Sequence, residues 1–149
     1  MERSFTLLEL VIVIVILGIL ATLGFSQYTA TVEKGRTAEA LARIGAMRQL
    51  AYKYYIENGS LSSIQNSDVG VDYTCYSTDY FKYEIGNKAS DCVNLRADRC
   101  TTGGKPPNGS TAYSFGLSFH VGSGAMNWYA NDSKAARITG ATYSGSTCP

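Results

Sequence analysis

A chain of 149 residues has room for one globular domain and one added element. Its 13 Lys and Arg against 12 Asp and Glu leave a formal charge of +1, without the clustered basic surplus of a nucleic-acid or anionic-surface binder. Only 17% of residues are charged, while 15 Gly and 11 Tyr suit a loop-rich β domain on an exposed surface.

Most of the hydrophobicity sits in the first 25 residues. Phe5 to Phe25 reads FTLLELVIVIVILGILATLGF, apolar or small except at Thr6, Glu9 and Thr22. A helix of that length spans roughly 30 Å, the thickness of a bilayer core. The Val and Ile run would favour a strand in water, but in lipid the backbone must satisfy its own hydrogen bonds, so a helix is predicted. A cleaved secretory signal fits poorly. Only Arg3 is basic, the apolar run is too long, and no small-x-small site ends it. Glu9 argues against a plain anchor, because a carboxylate in hydrocarbon costs a few kcal/mol, about 2.5–3.5 on insertion scales. No Lys or Arg lies within the segment, so a partner is expected from outside the helix: another chain or a freed α-amino group. The competing reading is that Glu9 snorkels to the interface.

The run Ser4-Phe5-Thr6-Leu7-Leu8-Glu9-Leu10, with its apolar continuation, resembles the prepilin motif of type IV pilins and type II secretion pseudopilins. The resemblance implies a leader, residues 1–4, removed between Ser4 and Phe5 by a membrane peptidase that also methylates the new Phe5 amine. It implies that Glu9 neutralises the amine of a neighbouring subunit during assembly. Two positions depart from the family pattern. Ser4 stands where the family places Gly, and no Pro lies near Ser26, although Gly18 and Gly24 do precede it.

Residues 26–58 carry apolar side chains at spacings of three and four, including Val32, Leu41, Ile44, Met47, Ala51 and Tyr55, which predicts an amphipathic helix. Glu39 and Arg43, four apart, are expected to pair. No Pro interrupts residues 5–58, and Asn58-Gly59-Ser60 is a stop signal, so a single helix of roughly 80 Å is predicted. Its first half, residues 5–25, has no core of its own once it leaves a bilayer, and only copies of itself can cover it. The remainder, residues 59–149, is read as a β head. Strands are predicted at 80–85 and 92–96 around a Gly86-Asn87-Lys88 turn, and at 112–121 and 125–129 around Gly122-Ser123-Gly124. The fold expected is α+β, with an antiparallel sheet of about four strands on the helix's second half.

Cys75, Cys92, Cys100 and Cys148 form no C-x-x-C pair, and His120 is the only histidine, so no metal site is expected. Two disulfides in an oxidising compartment are expected; four buried thiols are the alternative. Three pairings are open. A hairpin turning near Asn87 would set Phe81 opposite Asn94 and Cys75 opposite Cys100, leaving Cys148 for Cys92 to tie down the tail.

Gly103-Gly104-Lys105 lacks phosphate-loop spacing, and Pro106-Pro107 blocks the helix such a loop needs. His120 has no evident Ser or Cys partner, so no catalytic residue and no cofactor are expected. Asp132 is the only acid between 131 and 149, too little for a calcium site. The Asn58, Asn108 and Asn131 triplets are read as coincidental, and the helix aromatics Phe25, Tyr28, Tyr52, Tyr54 and Tyr55 as packing groups. The function expected is a major pilin: a homopolymeric helical filament, at the bacterial inner membrane before assembly and at the cell surface after it. Its expected partners are copies of itself, the prepilin peptidase and the pilus assembly machinery, with no specific nucleic acid. Adhesion, motility and DNA uptake are all tasks open to such a filament. A secretion pseudopilin and a monomeric membrane-anchored binding domain are the competing readings.

Overall fold

The computed structural model describes residues 6–107, 112–143 and 148, with Ser26 described in its backbone only. Ser4, Phe5 and the Asn108 triplet lie outside the described residues. The contacts divide the chain into two compact units, residues 1–33 and 34–149.

One helix, α1 (Leu7–Asn58), contributes to both units. In the first unit its large apolar side chains are exposed on every face, from Leu7 at 81% through Ile14 at 57% to Phe25 at 69%. A helix apolar all round has no wet face and fits a nonaqueous surrounding. Thr22 returns its hydroxyl to the Ile19 carbonyl at 2.7 Å, so the polar atom is satisfied within the helix. The helix stops at Asn58, whose Nδ2 donates to the Tyr54 carbonyl, while the Gly59 amide donates to that of Tyr55.

In the second unit a sheet of five strands runs in sequence order. β1 (Phe81–Lys88), β2 (Cys92–Arg99), β3 (Ser114–His120) and β4 (Met126–Ala130) are antiparallel neighbours. A short helix, α2 (Ser133–Thr139), then crosses over to β5 (Thr142–Tyr143), which lies parallel to β4. The α+β class stands as expected; the fifth strand and α2 were not foreseen in a tail of small and polar residues. Asp132 begins α2 as its N-cap, its Oδ1 accepting from the Ala135 amide at 2.7 Å.

The β1–β2 hairpin differs from the expected register. Phe81 faces Arg99, not Asn94. Gly86, Asn87 and Lys88 lie inside β1, where an irregularity between Ile85 and Lys88 absorbs them. The turn is at 89–91, fastened by the Ala89 amide on the Cys92 carbonyl at 2.8 Å and the Leu61 amide on the Ser90 carbonyl at 2.9 Å. Glu39 and Arg43 also depart from expectation: Arg43 directs Nη2 to the Gly70 carbonyl at 2.6 Å.

Alternation gives the sheet two distinct faces. Val93, Leu95, Ala97, Phe115, Leu117 and Phe119 join Ala40, Ile44, Met47 and Ala51 of α1 in one buried core. Phe81 stands edge-on to Tyr113 and Phe115 at 5.9 and 5.7 Å between ring centres. The opposite face pairs Cys92 with His120, Asn94 with Ser118 and Arg96 with Gly116. It is polar yet covered: Asn94 and Ser118 are fully buried and joined at 2.6 Å. Tyr129 crosses Gly116 so closely that an added Cβ there would collide with its ring and with the Leu95 carbonyl. Glu84 sits opposite Arg96 and forms an ion pair with it, and Asp98 holds the same guanidinium at 2.9 Å.

Burial, and then the Glu39 carboxylate, push the Tyr83 phenol up to about 12 from 10.0, with Arg43 opposing. Burial likewise raises Tyr129 to about 12. With folded values above the unfolded one, this stabilisation is complete below pH 10 and is lost as pH rises toward about 12. The chain carrying Tyr83→Phe and Tyr129→Phe is therefore expected to lose less stability across that alkaline window than the parent. Unfolding midpoints measured in detergent at successive pH values check this, and equal slopes would exclude these two phenols as the cause.

Candidate assembly site

The N-terminal end of α1 is closed by its own side chains. Thr6 occupies the N-cap position. Its amide and hydroxyl both donate to Glu9 Oε2, at 2.9 and 2.8 Å, and its Oγ1 accepts from the Glu9 amide at 3.2 Å. This is a reciprocal capping box, and the Thr-x-x-Glu spacing that encodes it is readable in Thr6-Leu7-Leu8-Glu9. Glu9 thus has a hydrogen-bond partner within its own chain. In the single chain the Thr6 amide and hydroxyl hold the carboxylate. The negative group also lies at the positive end of the helix dipole.

Behind Glu9 the exposed apolar residues continue without interruption to Phe25, and α1 is the one helix among the described residues long and apolar enough to cross a membrane. Of the aromatics on α1, Phe25 and Tyr28 are exposed, whereas Tyr54 and Tyr55 pack partly on the head's core. Tyr52 stands 6.4 Å from the Phe119 ring.

The head is fastened by two disulfides, Cys75–Cys100 and Cys92–Cys148, with Cα separations of 6.0 and 5.8 Å. Cys75 lies in the loop before β1, so its bond is not a rung of the hairpin. That loop region is organised by Arg99, a buried cation that sequence reasoning missed. Arg99 Nη1 donates to the Tyr80 and Lys105 carbonyls, each at 2.6 Å, and lies under the Tyr80 and Phe81 rings at 5.4 and 5.3 Å. Gly103-Gly104 acquires a structural reason at the same place. A Cβ on Gly104 would meet the Asp79 carbonyl at 2.6 Å and Cys100 Cβ at 2.8 Å, so only glycine passes the disulfide there. The second bond holds Cys148 against the polar sheet face. There His120 Nε2 lies 3.3 Å from Cys92 Sγ, a contact between positions far apart in the sequence. Asp132, the lone acid of the tail, is engaged as the α2 cap.

Residues 1–25 match the family described as the prokaryotic N-terminal methylation motif. Over 71 residues the chain is 32% identical to a fimbrial protein of Neisseria meningitidis serogroup A / serotype 4A, covering 48% of this chain and 41% of that protein. Over 58 residues it is 36% identical to the fimbrial protein EcpC of Eikenella corrodens, covering 39% and 38%. The aligned stretches thus span about two fifths of the length of these relatives. Together the motif and the fimbrial relatives support the type IV pilin family for this chain.

The Cys92–Cys148 bond closes a loop with a sequence separation of 56, so opening it restores much chain entropy to the unfolded state. Cys92→Ser with Cys148→Ser is expected to cost about 2–5 kcal/mol of stability and to expose the tail to proteolysis. Thermal unfolding and limited digestion of the full chain measure both effects.

Proposed function

We propose that this chain is the major structural subunit of a type IV pilus-like filament. It waits in a bacterial inner membrane through the apolar half of α1, then moves into an extracellular homopolymer. The observation that carries this reading is the helix segment from Leu7 to Phe25, exposed and apolar on every face, with one carboxylate, Glu9, at its head. In a monomeric anchor the carboxylate does no more than cap the helix with Thr6, at a cost in hydrocarbon. A polymer has use for both: neighbouring segments bury one another, and each acid meets a cation supplied by the next copy.

The chemistry runs in three steps. Hydrolysis between Ser4 and Phe5 creates an α-amine at the head of the helix, and methylation keeps that amine cationic. In the membrane Glu9 stays with Thr6, whose two donors lower the cost of holding a carboxylate near hydrocarbon. On assembly the Phe5 ammonium of a neighbouring copy replaces those neutral donors. Both kinds of bond to an ionised carboxylate are charge-assisted, but the ammonium adds a full opposite charge in a low-dielectric surrounding, so the exchange favours the polymer and sets its register.

Glu9→Ala is expected to leave the protein in the membrane fraction and to reduce filament yield at least ten-fold. Pilus shearing yields and membrane fractionation of the same cells separate the two effects, and a normal yield would remove Glu9 from assembly. Intact-mass measurement of purified filaments reads the processing directly. The expected subunit lacks residues 1–4 and carries one methyl group on Phe5, whereas a subunit retaining Met1 would require another cation for Glu9.

A further inference from the structure

The lone histidine and the absence of any C-x-x-C pair argue against a metal site, but the sheet register brings together what the sequence keeps apart. Cys92 and His120 are direct partners across β2 and β3, and Cys148 is held at the same spot. One ligand atom from each of the three lies within 4.8 Å of the others. Cys92 and Cys148 are buried, and His120 is half-buried.

We propose that the dithiol form of the head carries a zinc site made of Cys92, His120 and Cys148, and that this site and the Cys92–Cys148 disulfide are mutually exclusive clasps for the same tail. Two thiolates at about 2.3 Å from a tetrahedral zinc lie about 3.8 Å apart, and a thiolate and an imidazole nitrogen about 3.6 Å apart. The observed Sγ–Nε2 distance of 3.3 Å is already close to the second figure. The first needs only side-chain rotation, because a Cα separation of 5.8 Å leaves room for both bonding arrangements. Two thiolates with one imidazole form a donor set suited to zinc or a softer cation, not to calcium or magnesium. The half-buried edge of His120 leaves the fourth position to water. The other cysteine pair has no such third ligand among the described residues, so the property belongs to one bond only.

The redox balance is simple. A newly made chain carries Cys92 and Cys148 as thiols and needs no reductant. Zinc binding displaces one proton from each thiol. Disulfide formation instead removes two electrons and two protons, delivered to a thiol–disulfide oxidant, and leaves His120 beside a sulfur that no longer binds metal. The zinc form would hold Cys148 beside Cys92 and His120 before oxidation closes the clasp permanently.

The full chain in detergent, reduced with a phosphine under anaerobic conditions, is titrated with Co2+ and then Zn2+. One equivalent of Co2+ showing thiolate charge-transfer absorption, displaced by Zn2+, is expected. His120→Gln is expected to weaken binding ten-fold or more, and Cys92→Ser with Cys148→Ser to abolish it. Binding by the unreduced chain, or binding unchanged by His120→Gln, overturns the proposal. A second measurement does not depend on the reduced head staying folded during titration. Reduced chain is reoxidised with and without Zn2+, and its disulfides are mapped over time. Zinc is expected to delay the Cys92–Cys148 bond selectively; equal delay of both bonds, or of neither, overturns the proposal.

Discussion

The constraint on which everything else depends is the uncovered apolar segment of α1. Leu7 to Phe25 presents leucine, isoleucine and valine in every direction, and its own chain does not bury it. Burying one such side chain contributes about 1.5–3 kcal/mol, so the fourteen exposed in water would outweigh the stability of an ordinary domain. The segment is therefore stable only in lipid or against other apolar helices. Gly18 and Gly24 meet no atom within 4 Å of a built Cβ, so their notches are open to close approach by a neighbouring helix.

The head answers a different demand. A sheet with one face on an amphipathic helix ordinarily leaves the other face wet, and a wet antiparallel sheet needs no further covering. Here the second face is polar but buried, with Asn94 and Ser118 paired out of water and Tyr129 laid across Gly116. Polar groups buried in this way must be fully bonded, which makes the covering specific but gives it little apolar area. Covalent chemistry supplies what packing does not: Cys148 is held to Cys92 on that face, and Cys75 to Cys100 beside the buried guanidinium of Arg99.

Legibility in the sequence followed the strength of the local signal. The long helix was legible because the apolar run, the three-and-four spacing after it and Asn58-Gly59 all point the same way. The sheet was legible as strands but not as a register. Gly86-Asn87 is a strong turn dipeptide, yet tertiary contacts place it inside β1 and move the turn to Ala89-Ser90-Asp91. α2 and β5 were missed because Asp132-Ser133 was weighed as a calcium ligand and a glycosylation triplet, when its role is to cap a helix of two turns. Arg99 left no local trace at all, since its three carbonyl partners come from positions 80, 100 and 105.

The head of α1 shows how a local motif satisfies a carboxylate beside an apolar segment. A carboxylate without a partner at the edge of hydrocarbon would be costly to hold there. Thr6 donates to Glu9 through both its amide and its hydroxyl, so the carboxylate is bonded within its own chain. The capping box thus lowers the cost of placing a carboxylate at the head of an apolar helix. Thr6 and Glu9 then act as one unit. A change at Thr6 that removed only its hydroxyl would leave the amide donor in place and take away one of the two bonds to Oε2.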